Sequence, residues 1–498
     1  MTSKPNIIVI MTDQQRYDTL GINGNEKIKT PNLDRLGKEG VVFDRCYCAS
    51  PECVPARITL KTGLLPWKSG STNNFEGISS ETPTLMKILS ENGYYTQAIG
   101  KMHFIPTREP FGFQRMWLSE ELNTVEQDEF LQDLVKEGYS YVEEIHGMRS
   151  YLYYIPQVSQ LPAHLHTTAW TGGKSIEYIK EMHQKNQPFF LWMSFIKPHP
   201  PFDPPVPYNR MYEPTEMDDP IIMEEREAEK NYTYWNYYQN RGKWMESMRS
   251  PIFLRIMRAF YYASVSFVDE QIGKLLNTLE ELGIREETMI IFVSDHGEYL
   301  GDYWCFGKRG FHDSAARIPF IISYRGKIVE GERRENLIGH ADIMPTILDY
   351  CGIKYEGEQC GESLKRIIEN KEEKWREYFV GQFHRKEKGL YLIMDKEWKY
   401  IYEAGTGKEF LYNYKEDKEE KENRALYGGY KEEKERLRIE LIEYFEKEGN
   451  KEAVRGGEFI KYNNEEYEEI KRLYEDKYSK SKKIRYYQFH FWNKDLLK

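Results

Sequence analysis

The 498-residue sequence predicts an α/β protein with a large, mostly parallel central sheet between helices, followed by a small C-terminal α+β domain with an antiparallel sheet. Three observations predict it. Short continuous apolar runs recur at Asn6 to Met11, Tyr95 to Gly100, Phe189 to Phe195 and Met289 to Val293, and such runs suit strands covered on both faces. Stretches with apolar residues at helical spacing alternate with them. From about Trp375 the texture changes to short strand-like runs and a charged helix, which sets the expected domains at 1–374 and 375–498, the second completing the substrate cleft.

Taken in order, Asn6 to Met11 is the first buried strand. Thr30-Pro31 reads as an N-cap with proline at the first helical position, and Leu33 and Leu36 give that helix its apolar side. Thr82-Pro83 repeats the device, with Leu85, Ile88 and Leu89 as the stripe and Gly93 as the stop. Ser264 to Gly283 carries Val268, Ile272, Leu275, Leu276 and Leu279 at helical spacing and runs into the strand Met289 to Val293. Phe320 to Tyr324 is a further strand and Asp342 to Tyr350 a further helix. Phe379 to His384, Leu390 to Met394, Lys399 to Tyr402 and Glu409 to Tyr412 are the C-terminal strands. The Lys/Glu-rich stretch Lys415 to Glu448 reads as an exposed helix face, with its helix near Tyr430 to Glu446.

Composition excludes several partners. A net charge of −10 leaves no basic excess to displace counterions from a nucleic acid. No apolar run approaches the roughly 20 residues that span a bilayer, so no membrane partner is expected. The first apolar run ends at Asp13 with no small-residue cleavage site, so the expected compartment is the cytoplasm, or the periplasm or exterior with an export signal removed. Six cysteines are too few for a disulfide scaffold of this length, and Cys46-x-Cys48 with Cys53 does not have zinc-ribbon spacing. Aromatics reach 14%, which fits buried and interfacial rings better than a carbohydrate cleft.

Chemistry in a parallel sheet gathers at the carboxyl ends of its strands. There the sequence delivers Asp13-Gln14, Lys101 and His103, Lys197 and His199, and Ser294-Asp295-His296-Gly297. Asp13 and Asp295, with the Gln14 amide oxygen and the His296 imidazole, suit one divalent cation. The same residues also read as ordinary loop caps. Cys53, just before Val54-Pro55, falls at a helix N-terminus, where the dipole favours negative charge, and Arg57 lies one turn on. Alone, Cys53 reads equally as a buried thiol. Lys101, His103, His199 and Lys308 supply positive charge and proton transfer for an anion held in a dry cleft.

Together these motifs resemble the type I, formylglycine-dependent sulfatases of the alkaline-phosphatase-like superfamily. Cys53-x-Pro55-x-Arg57 is similar to their modification signature and Met11-Thr12-Asp13-Gln14 to their first metal motif. Thr30-Pro31-Asn32-Leu33-Asp34-Arg35-Leu36, Gly100-Lys101-Met102-His103 and Ser294-Asp295-His296-Gly297 follow in family order, with Lys308 in the late lysine position. The resemblance implies an alkaline-phosphatase-like sandwich and oxidation of Cys53 to formylglycine, whose hydrate is the nucleophile. It implies one cation, Ca2+ before Mg2+ or Mn2+, on Asp13, Gln14, Asp295 and His296. Arg57 and Lys101 would position the hydrate, His103 would take its proton, and Lys101, His199 and Lys308 would bind the sulfate. A formylglycine-generating or anaerobic sulfatase-maturating enzyme is an implied partner.

Gln14 and His296 stand where many members have Asp and Asn, which leaves the metal open, and Ala56 replaces the commoner serine. The expected substrate is a small sulfated saccharide, ahead of choline sulfate or an aryl sulfate. The alternatives are a phosphonate monoester or phosphodiester hydrolase of the same superfamily, and a non-catalytic glycan-binding relative. Aromatic and basic insertions, Tyr141 to Trp170 and Tyr232 to Arg249, read evenly as sugar subsites or as packing. The aromatic run Arg485 to Trp492 is expected to dock near the cleft.

Overall fold

A computed structural model describes residues 4–149, 152–239, 249–370 and 373–475. The aromatic run Arg485 to Trp492 lies outside the described residues, as does 240–248 of the second insertion.

The central sheet has eight strands: β1 Asn6–Asp13, β2 Val41–Phe43, β3 Tyr95–Gly100, β4 Arg115–Leu118, β5 Phe189–Pro198, β6 Thr288–Ser294, β7 Phe320–Ser323 and β8 Glu332–Arg334. Their order is β8-β2-β7-β6-β1-β5-β3-β4, with β1 parallel to both neighbours and β7 antiparallel to β2 and β6. β4, missed in the sequence, extends the sheet beyond β3 and is parallel to it.

Strict alternation explains the continuous apolar runs. Ile7, Val9 and Met11 of β1 enter one core cluster with Met289, Ile291 and Val293 of β6 and Phe190 and Trp192 of β5. Ile8 and Ile10 enter the cluster on the opposite face with Ile290, Phe292, Leu191 and Met193. A strand buried on both faces has no place for a polar alternate residue. The first face is covered by α2 Cys53–Thr62, α3 Leu85–Glu91 and α6 Ile343–Tyr350, through Leu60, Leu85, Leu89, Ile343 and Ile347. The second is covered by α1 Pro31–Lys38, α4 Thr167–Gln184 and α5 Pro251–Glu281, through Leu33, Leu36, Ile179, Met182, Val268, Ile272 and Leu275.

Thr30 and Pro31 stand where expected, but Thr30 makes no side-chain cap. Buried Asp269 of α5 accepts from the Leu33 amide at 2.7 Å and the Asn32 amide at 3.2 Å instead. The Thr82 cap is corrected: the helix starts at Leu85, and Thr84 accepts from the Lys87 amide at 3.2 Å. Thr84 Oγ1 also donates to the Phe111 carbonyl, which fixes Thr84 rather than Thr82 at the cap.

The C-terminal sheet is antiparallel, in the order β9 Phe379–Phe383, β10 Leu390–Met394, β11 Trp398–Glu403 and β12 Lys408–Asn413. The charged helix α7 spans Lys431–Lys447, so the stretch from Lys415 to Tyr430 is turns and short 3-10 segments rather than helix. Its buried face, Leu437, Leu441, Ile442 and Phe445, packs on the sheet. The sheet also shares a core cluster with Tyr47, Phe311 and Ala315, and buried Lys399 bridges Asp313 and Glu420 at 2.6 Å each. Among the described residues no helix is long and apolar enough to cross a membrane.

Candidate active site

The site lies at the carboxyl ends of β1, β3, β5 and β6, against the N-terminus of α2. β1 ends at Asp13, and the chain turns at Gln14 through a left-handed φ of 66°. That turn is held by the Tyr261 hydroxyl, which donates to the Gln14 carbonyl at 2.7 Å, and by the Gln14 amide, which donates to Asp295 Oδ1 at 2.9 Å. β3 ends at Gly100 with φ 94°, where a Cβ would stand 1.9 Å from the Ser194 carbonyl oxygen. Only glycine lets the strand end there and hand Lys101 to the site.

Cys53 is the first residue of α2, and all ten residues of that helix are buried. Its N-terminus is capped from a distant loop: the Val54 amide donates to Asn74 Oδ1 at 2.9 Å. Glu52 in turn accepts from the Asn74 amide at 2.9 Å and pairs with Arg309 at 2.7 Å. Cys53 Sγ is 2.9 Å from Lys308 Nζ, 3.3 Å from His296 Nε2, 3.8 Å from Asp13 Oδ1 and 3.9 Å from Lys101 Nζ. Burial and the Asp13 carboxylate push the thiol up, but Lys101, Lys308 and His296 outweigh them and bring it down to about 6. The neighbourhood therefore favours a negative group at position 53.

Arg57 ties the two aspartates together. Its guanidinium donates to Asp295 Oδ2 at 3.1 and 3.0 Å, to Asp13 Oδ2 at 3.0 Å, to the Lys101 carbonyl at 2.6 Å and to Ser194 Oγ at 2.9 Å. Lys101 Nζ adds a 2.5 Å ion pair to Asp13 Oδ2. Burial opposes the charge on Asp13, yet Lys101, His199, Lys308 and Arg57 hold it well below the usual carboxylate range.

Asp13, Cys53, Asp295 and His296 offer ligand atoms all within 4.8 Å of one another, and all four residues are buried. Two hard carboxylates and one imidazole fit a divalent cation. Cys46 and Cys48 are not in this group. The Gln14 amide oxygen accepts from Lys308 Nζ at 3.0 Å, the same ammonium that lies 2.9 Å from Cys53 Sγ.

His199 lies at the far wall, 3.5 Å from Glu121 and 3.4 Å from the Tyr153 hydroxyl, with its Nδ1 2.7 Å from the Pro200 carbonyl. Burial pushes it well below the usual imidazole range. Lys197, by contrast, is turned away from the site: its ammonium pairs with Asp203 and donates to the carbonyl of Pro201 at 2.7 Å. His103 makes no side-chain bond to Cys53; its amide donates to Glu120 at 2.9 Å, and its buried Nδ1 has no partner.

Three carboxylates escaped the sequence reading. Glu298, buried, accepts from the Gln14 side chain and from the Leu300 amide at 2.9 Å, fixing the Gln14 amide plane. Glu120 accepts from the Met102 and His103 amides at 2.7 and 2.9 Å. Glu121 pairs with Lys101 and with Arg149. Glu120 and Glu121 follow β4, so the unrecognised strand hid them.

The eight-stranded sheet, its flanking helices and this strand-end site place the chain among the alkaline-phosphatase-like proteins. The sulfatase family model matches residues 5–353, and the chain belongs to that family of enzymes. A model of the N-sulphoglucosamine sulphohydrolase C-terminal region matches residues 301–447. An arylsulfatase of Clostridium perfringens is 33% identical over 474 residues, covering 91% of this chain and 96% of its own. An N-acetylglucosamine-6-O-sulfatase of Bacteroides thetaiotaomicron is 27% identical, covering 74% of this chain and 72% of its own. Among solved structures, a phosphonate monoester hydrolase of Agrobacterium radiobacter superposes with a TM-score of 0.78 at 26% identity, covering 90% of this chain and 95% of its own.

Proposed function

We propose that the chain hydrolyses the sulfate ester of a small saccharide, with Cys53 converted to formylglycine and one divalent cation held by Asp13, Gln14, Asp295 and His296. The observation that carries this reading is the position of Cys53: at a helix N-terminus, beside the carboxylate donors, with two lysine ammonium groups on its sulfur. The formylglycine hydrate, when present, supplies an oxygen nucleophile, and the cation, when bound, polarises the sulfate oxygens. Ca2+ is the first candidate, with Mg2+ and Mn2+ next.

The chain's own residues do the rest. Arg57 bridges Asp13 and Asp295, Lys101 pairs with Asp13, and together they position the nucleophile at residue 53. Lys101 and Lys308 offset the charge of the ester and of the departing oxygen, with His199 beside them to contact the sulfate. His103 Nδ1, buried without a partner, is free to take a proton from the nucleophile. A saccharide substrate is supported by the relative named for N-acetylglucosamine 6-O-sulfate.

A maturating enzyme must convert Cys53. The proposed compartment is the cytoplasm, with the periplasm or exterior as the alternative. The division at 374/375 rests on the antiparallel sheet that follows, whose β9 to β12 begin at Phe379.

The likeness to the phosphonate monoester hydrolase favours a second reading, hydrolysis of a phosphonate monoester. Assay of matured enzyme on a panel of sulfated saccharides, an aryl sulfate and a phosphonate monoester separates the two. The first reading expects the highest kcat/KM on a sulfated saccharide; clear preference for the phosphonate overturns it.

A further inference from the structure

One charged group in the cleft has no part in the chemistry above. Glu121 stands at the carboxyl end of the edge strand β4, its side chain 14% exposed. One carboxylate oxygen pairs with Lys101 Nζ and lies 3.5 Å from His199 Nε2, and the other accepts from Arg149 Nη2 at 2.9 Å. Lys101 and His199 are the groups assigned above to the substrate anion. A carboxylate thus stands among the groups assigned to hold sulfate, paired with the Lys101 ammonium.

Such an arrangement weakens the binding of any anion, and weakens it more the greater the anion's charge. Burial opposes ionisation of Glu121, but His199 (when protonated), Lys101 and Arg149 hold it well below the usual carboxylate range. Because burial keeps His199 unprotonated near neutral pH, the standing charges opposite Glu121 are Lys101 and Arg149. Its own negative charge therefore persists, and any anion in the site feels it. A sulfate monoester carries one negative charge. A phosphate monoester carries close to two at neutral pH, and inorganic sulfate carries two.

We propose that Glu121 sets the charge of the ester this site accepts, disfavouring dianions so that a sulfate monoester is held over a phosphate monoester and the sulfate product is released. The proposal rests on the sulfatase reading for its substrate. The penalty is one unit of repulsion greater for the dianion. A single charge several ångströms away, after solvent screening, changes binding by roughly tenfold.

Two measurements test it. Calorimetry of inorganic sulfate binding to protein with unconverted Cys53 needs no turnover. At about tenfold per unit of ligand charge, Glu121→Gln is expected to bind the sulfate dianion roughly a hundredfold tighter, while Glu121→Asp, which keeps the charge, stays near wild type. With matured enzyme, Glu121→Gln is expected to lower the ratio of kcat/KM for a sulfate ester over the matching phosphate ester by roughly tenfold. If Glu121→Gln does not fold, Glu121→Ala removes the same charge. Unchanged or weaker sulfate binding, with equal losses on both esters, overturns the proposal and leaves Glu121 only as a support for Lys101. If wild type fails to turn over any sulfate ester, the functional reading falls, and the binding arm still decides the role of Glu121.

Discussion

Replacing Arg57 by methionine removes the charge that bridges Asp13 and Asp295, both 0% exposed. The two carboxylates do not suffer equally. Asp13 keeps its ion pair to Lys101 at 2.5 Å, whereas Asp295 is left with the amides of Gln14 and His296 as donors. Breaking a buried pair by removing one partner costs about 3–5 kcal/mol. The surviving Lys101 pair moves the figure to the lower end, and the lost contacts to the Lys101 carbonyl and Ser194 add about 1 kcal/mol each. The expected loss is about 5 kcal/mol in the presence of a chelator. A divalent cation on the same carboxylates supplies the missing charge, so with Ca2+ the loss should shrink to about 2 kcal/mol. Urea denaturation of wild type and Arg57→Met, each with chelator and with Ca2+, Mg2+ or Mn2+, measures both figures. An equal loss with and without every cation would refute the idea that these residues form a cation site.

Lys308→Met should lower turnover by roughly 10²–10³, the usual effect of losing one preorganised stabiliser, and the loss should shrink on aryl sulfates with better leaving groups. An equal loss on all leaving groups would mean that Lys308 only binds sulfate. Asn74→Ala removes the cap on the Val54 amide and should cost about 1 kcal/mol of stability, measured by denaturation; no change would show that water replaces the cap. Lys399→Met removes the partner of buried Glu420, while half-buried Asp313 keeps Arg317 and the Tyr47 hydroxyl, and should destabilise by about 3 kcal/mol. Because the C-terminal sheet shares a core with Tyr47 and Phe311, the unfolding should remain one transition; two separate transitions would show that the parts are independent.

The buried strands were legible because a sheet covered on both faces forces runs such as Asn6 to Met11, which nothing else in the chain imitates. Asp13, Asp295 and Cys53 were legible from their places at strand and helix ends, and the structure brings them within reach of one another. Helix starts were read less well. Thr82-Pro83 looks like Thr30-Pro31 locally, and only the Thr84 side chain, bonded to the Phe111 carbonyl, decides which threonine caps. Glu298 and Glu121 were illegible for a different reason: a lone glutamate carries no spacing signal, and each acquires its role from partners far along the chain. Many of the described tyrosines are interior, among them Tyr232, Tyr261, Tyr299 and Tyr303. Composition alone cannot separate such rings from sugar-stacking ones.

The most direct test of Cys53 as the nucleophile's precursor is mass analysis of its tryptic peptide beside turnover of a sulfate ester, on preparations made with and without a maturating enzyme. The account predicts replacement of the CH2–SH group by an aldehyde, with turnover proportional to the converted fraction and almost none from unconverted protein. Full turnover from protein whose Cys53 is entirely thiol would contradict it.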